Sequence, residues 1–252
     1  MLFVILPSYN EENALPLLLQ GLQDTLEGYI KYEVIVVDDG STDSTAERAY
    51  DWGGKVPVKV IRHGENRGLG AAIQTGFSSL LPVLGKEDMI AIMDSDNTHD
   101  PVLIPKMIER MRREDLDIVI ASRFVDGGEE KGVSPYRKAL SHGASFLLRR
   151  LYPIKGVRDF SCGYRLYSGL VIRRGYEHYR DRLVEERGFS CMVELLIKLS
   201  HLGGDVRVGE IPLALRYDLK VGESKLKVFR TSYRYLVVMI RGRSWTKERS
   251  IE

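Results

Sequence analysis

The sequence predicts an α/β fold, a mostly parallel sheet with helices on both faces, and three observations carry that expectation. Short apolar runs rich in β-branched residues alternate with helix-period segments through residues 2–121, the pattern of strands joined by crossover helices. Each of these runs except the third gives way to a polar cluster, as strands do at the ligand-binding edge of an open parallel sheet. The 252 residues are 44% hydrophobic and 29% charged, which suits one large or two small globular domains and excludes disordered, collagen-like and coiled-coil chains.

The elements follow in order. Residues 2–6 form a first strand, ended by Pro7. Ala14, Leu15, Leu18, Leu19 and Leu22 recur at helical spacing, with Pro16 tolerable only in the first turn. Residues 32–37 are a second strand, and Ser41-Thr42-Asp43 caps a helix running to Tyr50. A third strand spans 56–61, a helix 70–81, a fourth strand 89–93, a helix 101–113 and a fifth strand 118–121. The pattern then loosens. Residues 127–132 read as a loop, 134–151 as a helix, and 159–167 as an irregular or strand segment. A helix at 189–202, a strand at 206–215, a loop at 222–224 and a basic-apolar helix at 225–241 complete the chain. The second half has too few strands for a core of its own, so one domain over 1–224 with a basic amphipathic segment over 225–252 is expected.

No apolar run approaches the about 20 residues needed to span a bilayer. The first residues lack the charged region and cleavage site of a signal peptide, which predicts a cytoplasmic chain. Cys162 and Cys191 cannot form a disulfide scaffold and read as buried thiols. Residues 220–252 hold nine Lys or Arg against three Asp or Glu, although the whole chain is only +2. That asymmetry predicts an anionic partner for the tail.

The chemistry gathers at the strand ends. Ser8-Tyr9-Asn10-Glu11-Glu12 follows the first strand, Asp38-Asp39-Gly40-Ser41 the second, Asp94-Ser95-Asp96 the fourth and Ser122-Arg123 the fifth. Carboxylates collected at one sheet edge repel one another unless a cation sits among them, and a divalent metal carrying a diphosphate meets that need. In an extended segment Asp94 and Asp96 converge while Ser95 faces away. Two hard oxygen ligands suit Mg²⁺ or Mn²⁺ completed by water and substrate phosphates; a helix-capping pair ahead of Pro101 is the other reading. Gly40 is expected to let a ligand approach its backbone. The five histidines show no metal-binding spacing, and His99 reads as a surface or supporting residue. Gly68-Leu69-Gly70 follows the third strand rather than the first, which argues for tight packing at a helix start and against a dinucleotide fingerprint.

Leu6-Pro7-Ser8-Tyr9-Asn10-Glu11-Glu12, Val36-Val37-Asp38-Asp39-Gly40-Ser41-Thr42-Asp43 and Met93-Asp94-Ser95-Asp96 resemble the inverting family 2 glycosyltransferases of GT-A fold. Ala121-Ser122-Arg123-Phe124, Arg137-Lys138, residues 159–167, Glu194, Glu210-Ile211-Pro212 and Gly222-Glu223-Ser224-Lys225 narrow the resemblance to the dolichyl-phosphate mannosyltransferase, or polyprenyl-phosphate glycosyltransferase, branch. It covers residues 2–228, and the Q-x-x-R-W motif of processive synthases is absent. The resemblance implies a GT-A domain that moves one sugar from a nucleotide-sugar, of GDP-mannose or UDP-glucose type, to a dolichyl or undecaprenyl phosphate. It implies that Pro7, Tyr9, Glu11, Val37 and Asp39 hold the nucleoside, and that Asp94, Ser95 and Asp96 bracket the diphosphate. Asp94 and Asp96 bind Mg²⁺ or Mn²⁺ with Thr98 nearby, and Arg123, Arg137 and Lys225 face phosphate oxygens. Relatives carry an Arg three residues before the Gly of G-E-S-K; Leu219 stands there, and the flanking Arg216 and Lys220 are the candidates to replace it. Asp159 and Glu194 bind sugar hydroxyls or form buried ion pairs with a neighbouring Arg.

From Lys225 to Trp245 basic residues alternate with Leu, Val, Phe and Tyr. Such a helix rests on an anionic membrane at the cytosolic face, packs on the sheet, or does both. No nucleic-acid module is present. Three rivals stay open: a transferase with a soluble or glycan acceptor, a nucleotidyltransferase, which needs a Gly-rich loop after the first strand, and a non-catalytic membrane-bound module.

Overall fold

The structure, a computed structural model, describes residues 1–217 and 228–247. Seven strands form one sheet in the order β3-β2-β1-β4-β7-β5-β8. They are β1 (Leu2–Ser8), β2 (Tyr32–Asp38), β3 (Val58–Arg62), β4 (Met89–Ile92), β5 (Ile118–Ser122), β7 (Arg165–Ser168) and β8 (Val208–Pro212). All neighbours are parallel except β7, which runs antiparallel between β4 and β5. β1, β4 and β5 are buried almost throughout, which is why they read as continuous apolar runs rather than as alternating ones.

Helices α1 (Leu15–Leu26), α2 (Thr45–Asp51), α3 (Leu69–Leu80) and α4 (Leu103–Glu114) lie between the strands where the periodicity expects them. Leu15, Leu18, Leu19 and Leu22 of α1 are fully buried, so its leucine stripe is the core face. The second half adds α5 (Pro135–Leu151), α6 (Gly169–Tyr179), α7 (Cys191–Ser200) and α8 (Val228–Lys247). Because β5, β7 and β8 join the sheet begun by β1–β4, both halves build one single α/β domain, as the strand arithmetic implies.

Three expectations change. Residues 127–132 are not all loop: β6 (Glu129–Lys131) pairs in parallel with β9 (Ala214–Arg216) as a separate two-stranded sheet. The single strand expected at 206–215 breaks at Leu213, whose N–H bonds Ser122 O and whose carbonyl takes the Glu129 N–H, so the chain changes sheets there. Helix α6 follows β7 directly with Ser168 as its N-cap, the hydroxyl accepting from the Val171 N–H at 3.1 Å. The expected boundary at 224/225 falls outside the described residues. Beyond it, α8 packs on α7 and α5, with Val238 fully buried and Trp245 7% exposed.

Candidate active site

The parallel strands bring their carboxyl ends to one edge, and the chain order reverses between β1 and β4, where open α/β sheets bind ligands. The β1–β4 ladder ends at Ile5↔Ile92, so Met93-Asp94-Ser95-Asp96 leaves the sheet beside the last turn of β1. The Ser95 hydroxyl turns back into the sheet, donating to Pro7 O at 2.9 Å and pairing with Ser8 Oγ at 2.8 Å. Ser95 is 2% exposed, so of the diphosphate role expected for it only a backbone contact remains open. Asp94 and Asp96 flank that anchor, on a segment that leaves β4 after Ile92 and bends at 95–97.

Asp94 is the more open of the two, its side chain 32% exposed. Its N–H donates to His99 Nδ1 at 3.1 Å, and the His99 ring stacks on Tyr164 with centroids 5.0 Å apart. Gly163 lies against it, since a Cβ there would sit 3.3 Å from Asp94 Oδ1. His99, 3% exposed, is therefore a buried support. Asp96 Oδ1 accepts the Thr98 hydroxyl at 2.7 Å and the Thr98 N–H at 3.2 Å, a turn entered through Asn97 at φ +63°. The Thr98 hydroxyl thus orients the Asp96 carboxylate.

Beside this turn the β1–α1 and β2–α2 loops are laced together. Asn10 N–H donates to Ser41 Oγ at 2.9 Å while Asn10 Oδ1 accepts the Thr42 N–H at 2.9 Å. Glu11 N–H donates to Thr45 Oγ1 at 2.8 Å, Glu12 N–H to Asp43 Oδ2 at 3.2 Å, and Ser44 N–H to Glu12 Oε2 at 3.1 Å. Tyr9 and Glu11 stand on this platform. Pro7 and Val37 are register partners within the sheet, and Val37 is fully buried, so only its backbone faces the crevice.

The two aspartates after β2 hold the protein together. Asp38 Oδ1 accepts the Ser41 N–H at 3.0 Å and Oδ2 lies 3.3 Å from Arg62 Nε. Asp39, 4% exposed, binds His63 Nδ1 at 2.6 Å, the Arg67 N–H at 3.0 Å and the Gly68 N–H at 2.8 Å. Both of its oxygens are engaged by the 63–68 loop, so its expected hold on a nucleoside becomes chiefly the shaping of that loop. Gly40 corrects the sequence reading in the same way. At φ +73° a Cβ there would collide with the Glu65–Asn66 backbone, so it is the chain itself that approaches, not a ligand. Gly68 and Gly70 serve tight packing, as the residues after β3 suggest: Gly70 N–H donates to Arg187 O at 3.0 Å, and a Cβ on either glycine would collide with the 186–187 carbonyls.

On the other flank, the Arg123 guanidinium is engaged by carboxylates rather than turned toward phosphate. Nε and Nη2 donate to the two oxygens of Asp159, both at 2.8 Å, Nη2 also donates to Ser161 Oγ, and Nη1 lies 3.5 Å from Glu130. Burial would lower the pKa of Arg123, but the charge and hydrogen bonds of Asp159 outweigh it and hold the pKa above the usual range. Against the same desolvation, Arg123 holds Asp159 below the usual carboxylate range. Glu210 Oε1 accepts the Arg158 and Asp159 N–H groups at 2.6 Å each and so presents Asp159, while burial raises its own pKa. Glu194, fully buried, accepts Lys198 Nζ at 2.7 Å and the N–H groups of Glu185 and Glu186. Desolvation raises its pKa against the pull of Lys198. Asp159 thus forms the ion pair of the alternative reading, with Arg123, while Glu194 pairs with Lys198 in place of the expected Arg. Cys162 and Cys191 are buried thiols as expected, and desolvation pushes the Cys162 pKa up to about 12.

Arg137 Nη1 donates to the Tyr217 hydroxyl at 3.1 Å, and the Arg216 N–H donates to Thr98 O at 3.4 Å, so the backbone at Arg216 borders the Asp96 turn. Lys220 and Lys225 lie outside the described residues. The donor set fits a divalent ion that arrives with a diphosphate: two hard carboxylates at the strand edge and, among the described residues, no cluster of three or more acidic, His or Cys ligands able to cage a metal alone. Sequence reasoning missed His63, Glu130 and Glu186. His63 ends an Arg62-His63 pair after a strand and carries no spacing that marks it, since its partner lies 24 residues away.

The model for "Glycosyl transferase family 2" matches residues 3–175. The chain is 36% identical over 246 residues to a dolichol-phosphate mannosyltransferase of Pyrococcus furiosus, covering 97% of this chain and 64% of that protein. It spans, therefore, less than two thirds of that relative. It is 32% identical over 226 residues to an undecaprenyl-phosphate mannosyltransferase of Micrococcus luteus, covering 88% and 86%. Among solved structures, glucosyl-3-phosphoglycerate synthase from Mycobacterium tuberculosis, in complex with Mn²⁺, UDP-glucose and phosphoglyceric acid, superposes with a TM-score of 0.73 at 20% identity, covering 97% of this chain and 80% of that one. That likeness establishes the fold.

Proposed function

The chain belongs to glycosyl transferase family 2, with a GT-A fold, and from that premise we propose that it moves one sugar from a nucleotide-sugar to a polyprenyl phosphate with inversion at the anomeric carbon. The observation that supports this reading is the Ser95 anchor across the β1–β4 switch point, beside the laced loops read as the nucleoside platform; with Ser95 turned into the sheet, the flanking Asp94 and Asp96 are read as the groups offered to the crevice. The two mannosyltransferase relatives, named for dolichol and undecaprenyl phosphates, support the lipid acceptor.

Tyr9 and Glu11, with the backbone at Pro7 and Val37, form the nucleoside site, and Asp39 keeps its wall in place. Asp94 and Asp96 hold Mg²⁺ or Mn²⁺ with the diphosphate; the ion supplies charge neutralisation for the departing nucleoside diphosphate. An acceptor phosphate is already anionic at neutral pH. Its oxygen forms the new bond to the anomeric carbon from the face opposite the leaving group, and the diphosphate departs with the bonding pair. Such an acceptor needs orientation and charge neutralisation more than a strong base. Arg216, whose backbone borders the Asp96 turn, and Arg137, bonded to the adjacent Tyr217, are assigned that role, together with Lys220 and Lys225 of the undescribed segment.

No described helix is long and apolar enough to cross a membrane. Contact with an acceptor lipid is proposed instead through α5 and α8, peripherally at the cytosolic membrane face. Tyr233, Leu236 and Ile240 recur at helical spacing on one face of α8 and are 54–73% exposed, with the exposed Arg243 continuing the stripe. Phe146, Leu147 and Leu151 of α5, 41–63% exposed, lie among the exposed Arg149 and Arg150. The basic face expected on the tail is revised by this geometry. Arg234 and Arg241 lie on the inner face of α8, bonded to Glu185 and Glu186, because buried carboxylates need a cation more than the solvent does.

The test offers the purified protein a panel of nucleotide-sugars with polyprenyl phosphates, with and without Mg²⁺ or Mn²⁺. Formation of a glycosyl phosphate lipid with loss of the nucleotide-sugar supports the reading. Transfer to hydroxy acids or glycans alone replaces it with the soluble-acceptor activity.

A further inference from the structure

An ion pair between the half-exposed Arg234 and the buried Glu186 ties the C-terminal helix to the 186–187 turn. Glu186 is 1% exposed and accepts Arg234 Nε at 2.9 Å, Arg234 Nη2 at 2.5 Å and Ser190 Oγ at 2.7 Å, with Arg241 Nη1 at 3.4 Å. Its own N–H donates to Glu194 Oε2 at 2.8 Å, and Glu194 is held by Lys198. Carboxylate and amide of this one residue are therefore clamped from two helices, α8 and α7.

The carbonyls of this same turn face the start of α3. Arg187 O accepts the Gly70 N–H at 3.0 Å, and a Cβ on Gly68 would come within 2.5 Å of that oxygen. A Cβ on Gly70 would collide with Glu186 O. The two backbones thus lie in direct contact, with no side chain between them to absorb a shift. On its other side the glycine segment donates the Arg67 and Gly68 N–H groups to Asp39. From Arg234 to Asp39 the path runs through one bidentate ion pair, one backbone contact and one pair of N–H bonds.

We infer that the Arg234–Glu186 pair positions the donor site: it holds the 186–187 turn against Gly68 and Gly70 and thereby fixes the loop that engages Asp39. The pair touches no substrate, and Glu186 and Arg234 are positioning residues. The inference rests on the reading of the β2 end as the nucleoside site, and it gives α8 a second duty. The helix whose outer face is proposed to meet the lipid sets, through its inner face, the affinity for the donor.

The test pairs nucleotide titration with amide hydrogen exchange on the full chain. In Arg234→Gln, the affinity for GDP or UDP, whichever the parent binds, falls about three- to tenfold, and kcat at saturating donor stays near the parent value. The Arg67 and Gly68 amides exchange about tenfold faster while the β2 amides keep their parent protection, which separates loop release from global unfolding. Arg234→Lys recovers part of the affinity. Because an unpaired Glu186 also costs stability, the double variant Glu186→Gln/Arg234→Gln, which removes both charges, is expected to fold and to keep the fast-exchanging loop. Parent-like exchange at Arg67 and Gly68 in both variants overturns the inference. The exchange arm reads the loop without any nucleotide, so a parent protein that binds neither GDP nor UDP counts against the donor reading alone.

Discussion

Arg123 and Asp159 form a two-bond pair, Nε to Oδ2 and Nη2 to Oδ1, both at 2.8 Å, with the carboxylate fully buried. Asp159 further accepts the N–H groups of Arg123, Ser161 and Cys162, so a single carboxylate organises the chain after β5 and before β7. Removing one partner of such a pair strands a buried charge. Arg123→Gln and Asp159→Asn are each expected to cost roughly 3–5 kcal/mol in denaturant unfolding. Arg123→Lys loses most of the same amount because an ammonium cannot reproduce the fork. The folded pKa of Asp159 is depressed. Its stabilisation is therefore present above the unfolded value near pH 4 and is lost as the pH falls through the lower folded value. Arg123→Gln with unchanged stability and a selective loss of turnover would return Arg123 to phosphate binding.

Glu210 behaves oppositely. Desolvation raises its folded pKa, so ionisation opposes folding: stability declines as the pH rises from the unfolded value near 4.3 to the folded one. A Gln side chain keeps an oxygen for the Arg158 and Asp159 N–H groups. Glu210→Gln should gain stability relative to the parent at pH 8 compared with pH 4. Thermal unfolding at the two pH values checks this, and a constant difference would contradict it.

The Asp96 carboxylate takes its orientation from Thr98. Asp96→Asn preserves that acceptor and removes the charge, so the fold should survive while metal-dependent turnover falls by roughly 10²–10⁴, the scale of several kcal/mol of lost charge stabilisation. Circular dichroism alongside transfer assays with and without chelator separates the two effects. Full turnover in Asp96→Asn would remove Asp96 from the metal site.

Gly70 has no room for a methyl group, because a Cβ there meets Glu186 O. Gly70→Ala must move either α3 or the 186–187 turn and is expected to cost about 1–3 kcal/mol of stability. Gly188→Ala, where nothing lies within 4 Å of the added carbon, is the control and should stay near the parent.

Leu236, Ile240 and Phe146 are expected to sit in lipid, where burying such a side chain is worth about 1.5–3 kcal/mol when complete. The triple Gln variant should leave anionic liposomes at protein concentrations that keep the parent bound, and should lose transfer to long-chain lipid while keeping donor affinity. Co-sedimentation with vesicles containing phosphatidylserine reads this out. Retained binding would move the membrane contact elsewhere.

Much of the fold was legible before any coordinates. The leucine stripe of α1 marks a local period of 3.6, and the continuous apolar runs of β1, β2 and β4, each closed by a polar cluster, mark buried strands, all within a window of about ten residues. Asp94, Ser95 and Asp96 were legible as a polar cluster closing an apolar run, while the burial of Ser95 against Pro7 and Ser8 was not. β6 and α6 were not. A three-residue strand whose partner lies beyond residue 213 has no local signature, and the buried face of α6, Val171, Ile172, Gly175, Tyr176 and Tyr179, keeps helical spacing but passes through a glycine and two tyrosines that blunt its apolar signal.

The sequence by itself determined the family and the sheet with its carboxylates at one edge, because neighbours in the chain carry all of that. Only the tertiary structure decided which charges serve the ligand and which serve the protein. Asp39 meets Arg67 and Gly68, Arg123 meets Asp159, and Glu186 meets Arg234 across 28, 36 and 48 residues of chain. A buried carboxylate must find its cation or N–H donors wherever folding brings them, and no spacing rule in the sequence records that choice.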